Sequence, residues 1–185
     1  MAYALYCVIP FSKLNNSNRM IKDAAEIIGR SPAALKMKIC NLAALDPDFL
    51  ATGRVGLWGG ISKLDREIYE EFSKDWEGLS TKAESIVGLP LFDLTEPVYN
   101  GDPHRKKSYA EIADKQARKF FRKSVISAYE GRCCITGQSI PQMVIASHIK
   151  PYYVCDKSER ANPANGLLLN AFYDRAFDQG LMTVL

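Results

Sequence analysis

The chain has 185 residues, is 47% hydrophobic and 24% charged, and carries a net charge of +3. Those values fit a globular protein of one large or two small domains and exclude disordered, fibrous and helical membrane-spanning classes. No apolar run approaches the roughly 20 residues of a membrane helix, and the apolar start, MAYALYCVIPF, lacks the basic region and cleavage site of a signal peptide.

The five cysteines are Cys7, Cys40, Cys133, Cys134 and Cys155, an odd count with no C-x-x-C. Free thiols in a reducing, cytoplasmic setting are the expectation. A structural zinc on Cys133, Cys134 and Cys155 is not expected, because vicinal cysteines are poorly spaced for it.

Residues 1–80 read as a helical domain. Asn18 or Ser17 caps a helix through Ile28, with Ile21, Ala24, Ala25 and Ile28 on one face, and Gly29 ends it. Ser31 then offers a fresh N-cap with Pro32 at the first helical position, and that helix runs to about Leu45, where Asp46-Pro47 stops it. A third helix is expected from Ser62 to about Trp76, after a glycine-rich loop carrying Trp58. The first two helices, joined by Gly29-Arg30-Ser31, have the dimensions of a helix-turn-helix. Lys36 and Lys38 would then face DNA; an ordinary helical hairpin is the plain alternative.

Residues 81–107 read as a linker, punctuated by Gly88, Pro90, Pro97, Gly101 and Pro103. An amphipathic helix over about 108–129 follows, with Ile112, Phe120, Phe121, Val125 and Ile126 as its apolar positions and Glu130-Gly131 as its end. Charge concentrates here: nine Lys/Arg against three acids between His104 and Arg132. Such a stripe suits a polyanionic partner, with a solvated helix face as the bland alternative. Arg118, Arg122, Lys123 and Arg132 are its candidate DNA contacts.

Beyond Gly131 the pattern switches to short β-like runs, Arg132–Thr136 and Gln142–Ile149, flanking a turn around Gly137–Pro141. The second run ends on His148, one of only two histidines in the chain. A polar loop leads to Asn165-Gly166, then to the apolar Leu167–Leu169, then to a helix carrying Asp174, Arg175 and Asp178 and closed by Gly180. Taken singly, each feature has an ordinary reading: a structural histidine, a turn, a solvated helix face.

Together, RCCITG, ASHIKP, NGLLLNA and AFDQGL resemble the HNH endonucleases in order and spacing, over about Phe120 to Leu185. The resemblance implies an α+β chain, with a helical N-terminal domain over 1–80 and a ββα-metal nuclease domain over 108–185. It also implies hydrolysis of a DNA phosphodiester by a one-metal mechanism, in a restriction- or defence-related protein. His148 would be the general base, since an imidazole with a pKa of about 6.5 is neutral near pH 7. Asn165 resembles the middle residue of the motif, whose amide pins the loop that positions the base. The implied cofactor is a divalent ion, Mg²⁺ or alternatively Mn²⁺.

The chain departs from the pattern at two places. The last histidine of the motif falls on Tyr173 or Asp174, and the residue before the base, often acidic or histidine, is Ser147. Asp174 is then the best surviving metal ligand, with Asp178 second, and Tyr173 either touches phosphate or packs. Lys150 and Arg175 join the candidate DNA contacts. The partner is double-stranded DNA, with no membrane; a homodimer would supply the second cut of a double-strand break. The alternative is a degenerate nuclease fold that binds DNA without cutting it. The resembled family often continues with further strands, so the sequence reads as a minimal protein or a piece of a longer one.

Overall fold

The structure, a computed structural model, describes residues 1–87 and 109–184. Six helices fill the first span: α1 (Ala2–Val8), α2 (Arg19–Ile27), α3 (Pro32–Ala43), α4 (Pro47–Ala51), α5 (Lys63–Phe72) and α6 (Trp76–Val87). The second span holds α7 (Tyr109–Ala128), β1 (Val144–His148), α8 (Lys157–Arg160), β2 (Gly166–Asn170) and α9 (Ala171–Asp178).

The N-terminal region is helical, as the periodicity predicts, and its caps lie where the side chains can serve them. Asn18 accepts the Ile21 N–H at 3.4 Å, and Gly29 closes α2 at φ +64°. Ser31 accepts the Ala34 N–H at 3.2 Å, with Pro32 behind it at the first turn of α3. α2 and α3 form a helical hairpin. Lys36 is part-buried, and Lys38 bridges to the buried Asp65 at 2.8 Å rather than standing free toward solvent.

The helix expected over 62–76 is present but shorter, and a further helix follows it. α5 stops at Phe72, and Asp75 starts α6 by accepting the Gly78 N–H at 2.9 Å. Residues 81–87 of the expected linker are therefore the end of α6, and 88–107 lie outside the described residues. Ile112, like His104 and the basic residues 105–107, also falls where no side chain is described.

α7 serves two cores at once. Ala117 and Phe120 enter a large one built on Leu5, Ile21, Ile39 and Leu42; Phe121 and Val125 enter a small one with Val144 and Leu168. Adjacent residues on a helix point about 100° apart, so the neighbouring Phe120 and Phe121 face different partners. Each is at least 98% buried, and burying such a ring contributes about 1.5–3 kcal/mol.

β1 and β2 pair antiparallel, with His148 opposite Gly166 and Ala146 opposite Leu168. The expected strand Arg132–Thr136 is instead a turn. The Cys133 N–H donates to the Gln138 carbonyl (2.8 Å), the Gly137 N–H to the Cys133 carbonyl (2.8 Å), and Gly137 adopts φ +71°. The run still touches the sheet: the Cys134 N–H donates to the Leu168 carbonyl (2.8 Å), and the Asn170 N–H donates to Cys133 Sγ (3.2 Å). The apolar stretch Leu167–Leu169 is the true partner of β1. α9 follows directly, capped by Asn170 on the Tyr173 N–H at 3.0 Å and closed by Gly180 at φ +69°. Among the described residues no helix is long and apolar enough to cross a membrane.

Candidate active site

The pleat of β1 sends successive side chains to opposite faces. His148 turns toward α7, where its ring stacks on Phe121 at 3.6 Å between centroids and 12° between planes. Tyr152 meets the same ring edge-on at 5.4 Å. Ser147 turns the other way and donates its hydroxyl to Asp174 Oδ1 on α9.

His148 Nε2 lies 3.0 Å from the Arg160 carbonyl oxygen. A carbonyl can only accept, so Nε2 carries the hydrogen. In the neutral ring Nδ1 is then an acceptor. Burial lowers the pKa of His148, the Arg160 carbonyl opposes that, and the nearby Arg118 cation lowers it further; the net position is below the ordinary 6.5. The ring is therefore a neutral base at pH 7.

Asn165 ties the chain beyond His148 in place. Its Oδ1 accepts the Lys150 N–H at 2.8 Å, and its Nδ2 donates to the Lys150 carbonyl at 3.3 Å and to Cys155 Sγ at 3.2 Å. The Ile149 N–H adds a bond to the Asn165 carbonyl at 2.9 Å. Gly166 is extended (φ −131°, ψ 145°), so Asn-Gly here is not a left-handed turn. Glycine is needed for space: a Cβ at 166 would lie 2.4 Å from Val125 Cγ2 and 2.9 Å from Phe121 Cζ. The missing side chain lets Phe121 lie against His148.

This strand–strand–helix unit, with a histidine ending the first strand and an asparagine opening the second, is the arrangement that the motifs implied. Residues 133–185 match the HNH endonuclease family. This end of the chain is thus similar to an HNH endonuclease domain. The searches of curated proteins and of solved structures gave no match.

The HNH segment takes part of its site from outside the matched residues. Phe121, on α7, supplies the wall behind the His148 ring. Asp114 accepts the Tyr152 hydroxyl and the Arg118 Nε–H (3.1 Å), while the Arg118 guanidinium lies 3.8 Å over the Tyr152 ring. Burial pushes the Asp114 carboxyl up, but its bonds from Tyr152 and Arg118 prevail and hold it below the ordinary value. Phe121, Tyr152, Asp114 and Cys155 were not singled out from the sequence as site residues. The doubled Phe120-Phe121 in one amphipathic helix was the available signal, since one apolar stripe needs only one of the two.

The remaining candidates are dispersed. Arg118 is engaged as described, and Lys150 pairs with Glu159 at 2.5 Å. Arg132 and Arg175 are exposed, while Arg122 and Lys123 are part-buried on α7. Tyr173 is half-buried on α9, its ring edge-on to Phe172. Asp178 is exposed one turn beyond Asp174. Among the described residues no group of three or more His, Cys, Asp or Glu is placed to hold a metal. The acidic donors on α9 are Asp174, with the Ser147 hydroxyl against it, and Asp178. Carboxylate and hydroxyl oxygens of this kind suit a hard divalent ion better than zinc.

Proposed function

We propose that this chain is a divalent-metal-dependent endonuclease that hydrolyses phosphodiester bonds of double-stranded DNA, with His148 as the general base. The observation that carries the reading is the bond from His148 Nε2–H to the Arg160 carbonyl, which leaves Nδ1 as the acceptor for a proton from water. Asn165 holds the main chain at Ile149–Lys150, so the base sits at a fixed strand end. Phe121 and Tyr152 fix the ring plane and shield it from bulk water. Asp174, which meets the face of β1 opposite the imidazole, would hold the one metal ion together with Asp178. When bound, such an ion neutralises phosphate charge and stabilises the leaving 3′-oxygen. Arg132, Lys150 and Arg175 are the phosphate contacts beside the site, with Arg118, Arg122 and Lys123 on α7 and Tyr173 on α9. Lys36 and Lys38 extend the duplex contact if α2 and α3 act as a helix-turn-helix.

One observation favours a second reading, a DNA-binding protein that does not cut. The Ser147 hydroxyl already occupies an oxygen of Asp174, and few ligands stand near it. The two readings separate in a plasmid-nicking assay across Mg²⁺, Mn²⁺, Ca²⁺ and chelator. The enzyme reading expects nicking with Mg²⁺ or Mn²⁺, its loss in His148→Ala, and duplex binding within about threefold of the parent. Binding without nicking in every metal would establish the second reading in its place.

A further inference from the structure

We infer that the seam between the helical region and α7 holds a second, small-molecule site, one that takes an uncharged planar heteroaromatic ring of the nucleobase class. A cavity of about 330 Å³ lies there, away from His148. That volume is at the lower end of the roughly 300–1,000 Å³ of ligand pockets, enough for a base with or without a sugar.

Tyr6, Phe11, Phe49 and Trp76 give it aromatic walls, with Phe11 and Phe49 at 4.6 Å and Tyr6 edge-on to Phe49 at 6.3 Å. Flat rings stack on such walls. Ser124 lines the cavity from α7. It is 1% exposed, and its hydroxyl has no protein partner. A buried hydroxyl without a partner costs about 1–3 kcal/mol, and a ligand atom that bonds it recovers that. Ser127, 9% exposed, adds a second hydroxyl from the same helix. Two hydroxyls that can each donate or accept suit the mixed edge of a base.

Charge excludes the obvious competitor, an anion. Among the described lining residues the one cation is Arg54, and it is paired with Glu130 at 2.9 Å. Asp46 and Asp48 also line the cavity, so the field is negative. Phosphates are disfavoured, and an exocyclic amine is welcome. The site also bears on the nuclease face, because Ser124 follows Phe121 by three residues on α7, less than one helical turn.

The chain has two tryptophans. Trp58→Phe therefore leaves Trp76 as a fluorescent reporter in the cavity wall. The titrants are adenosine, guanosine, cytidine and thymidine, and separately a DNA duplex without metal. Each is run on this protein and on the same protein carrying Ser127→Phe, which fills the cavity. Saturable quenching by a nucleoside that disappears in the filled variant supports a free ligand. Quenching by duplex alone that disappears in the filled variant supports a base extruded from bound DNA. Ser124→Ala, which removes a methyl-sized polar atom and cannot block folding, should weaken either signal about 3- to 10-fold, a neutral hydrogen bond's share. No quenching by any titrant up to millimolar nucleoside, or quenching that both variants leave unchanged, overturns the inference. None of these readouts depends on cleavage, so loss of the nuclease reading would leave the result standing.

Discussion

Replacing Gly166 by alanine tests the packing that holds the His148 ring. The backbone there is extended, φ −131°, which alanine adopts freely. By itself the change should stabilise by about 0.4–1 kcal/mol through the unfolded chain. The added methyl, however, would sit 2.4 Å from Val125 Cγ2 and 2.9 Å from Phe121 Cζ, against 3.4–4 Å for ordinary contact. Val125 must retreat by about 1 Å and the Phe121 ring by about 0.5 Å, within a core that has little give. Overpacking of this kind costs about 1–3 kcal/mol, so the net expectation is a loss of about 1–2 kcal/mol. Urea unfolding at pH 7 reads it as a lower midpoint at unchanged slope. Val125→Ala removes the closest atom; alone it destabilises, but combined with Gly166→Ala the losses should fall short of their sum by about 1 kcal/mol. Gly59→Ala is the control, since a methyl there meets nothing within 4 Å, and it should stay within about 0.5 kcal/mol of the parent. Displacing Phe121 also loosens its stack on His148, so the imidazole pKa should rise toward 6.5 in an NMR titration. With two histidines in the chain, His104→Gln assigns the signal. A Gly166→Ala protein as stable as its parent, or strict additivity with Val125→Ala, would refute the steric account.

Three further outcomes are expected. Asn165→Ala removes one acceptor and two donors around Lys150 and Cys155; it should destabilise by about 1–3 kcal/mol and cut nicking at least tenfold with duplex affinity little changed, as gel shift and nicking assays will read. Because the folded pKa of His148 is below 6.5, the unfolded imidazole takes its proton first as pH falls. Its effect on stability is therefore absent above about pH 6.5 and becomes a loss on acidification; the acid limb of cleavage should likewise have its midpoint below 6.5, and a midpoint above that value contradicts the environment described. For Asp65, burial pushes the carboxyl up, but the bonds from Lys38 (2.8 Å) and Ser62 (2.7 and 2.8 Å) leave it below the ordinary 3.8. A depressed carboxyl stabilises the fold above its unfolded pKa and loses that contribution as pH falls through the folded value. Asp65→Asn should cost about 1–2 kcal/mol at pH 7, discounted for the part-exposed Lys38, and should lessen the loss of stability on acidification below about pH 4 in urea unfolding; an unchanged loss would assign it to other carboxylates.

Local chemistry in the sequence was enough for the caps and for where two candidate residues stand in the fold. Asn18, Ser31, Gly29 and Gly180 act through their own backbone neighbourhood, so their roles could be read without the fold. The positions of His148 at the end of β1 and Asn165 just before β2 were legible through their spacing within ASHIKP and NGLLLNA. What escaped depended on contacts distant in the chain. The run Arg132–Thr136 has the composition of a strand, yet its cross-strand place is taken by Leu167–Leu169, and its own bonds turn inward to Gln138. Gly166 looked like the second half of a turn, because the residue that requires its bareness, Phe121, lies 45 residues earlier. The partner of Lys38 was equally out of reach, because Asp65, whose carboxylate takes its ammonium, lies 27 residues on.

The two-sided character of α7 bears on how such a protein can be recombined. The segment that carries the family signature begins at residue 133, but Phe121 and Val125 complete the small core beneath β1 and β2. A graft of 133–185 onto another scaffold would arrive with Val144 and Leu168 bare and the imidazole unsupported. Extending the graft back to include α7 would cure that and expose Ala117 and Phe120 on the opposite side. The heritable signature and the portable unit therefore have different edges. A workable chimera would have to exchange α7 together with the helices it leans on, or redesign one of its faces for the new host.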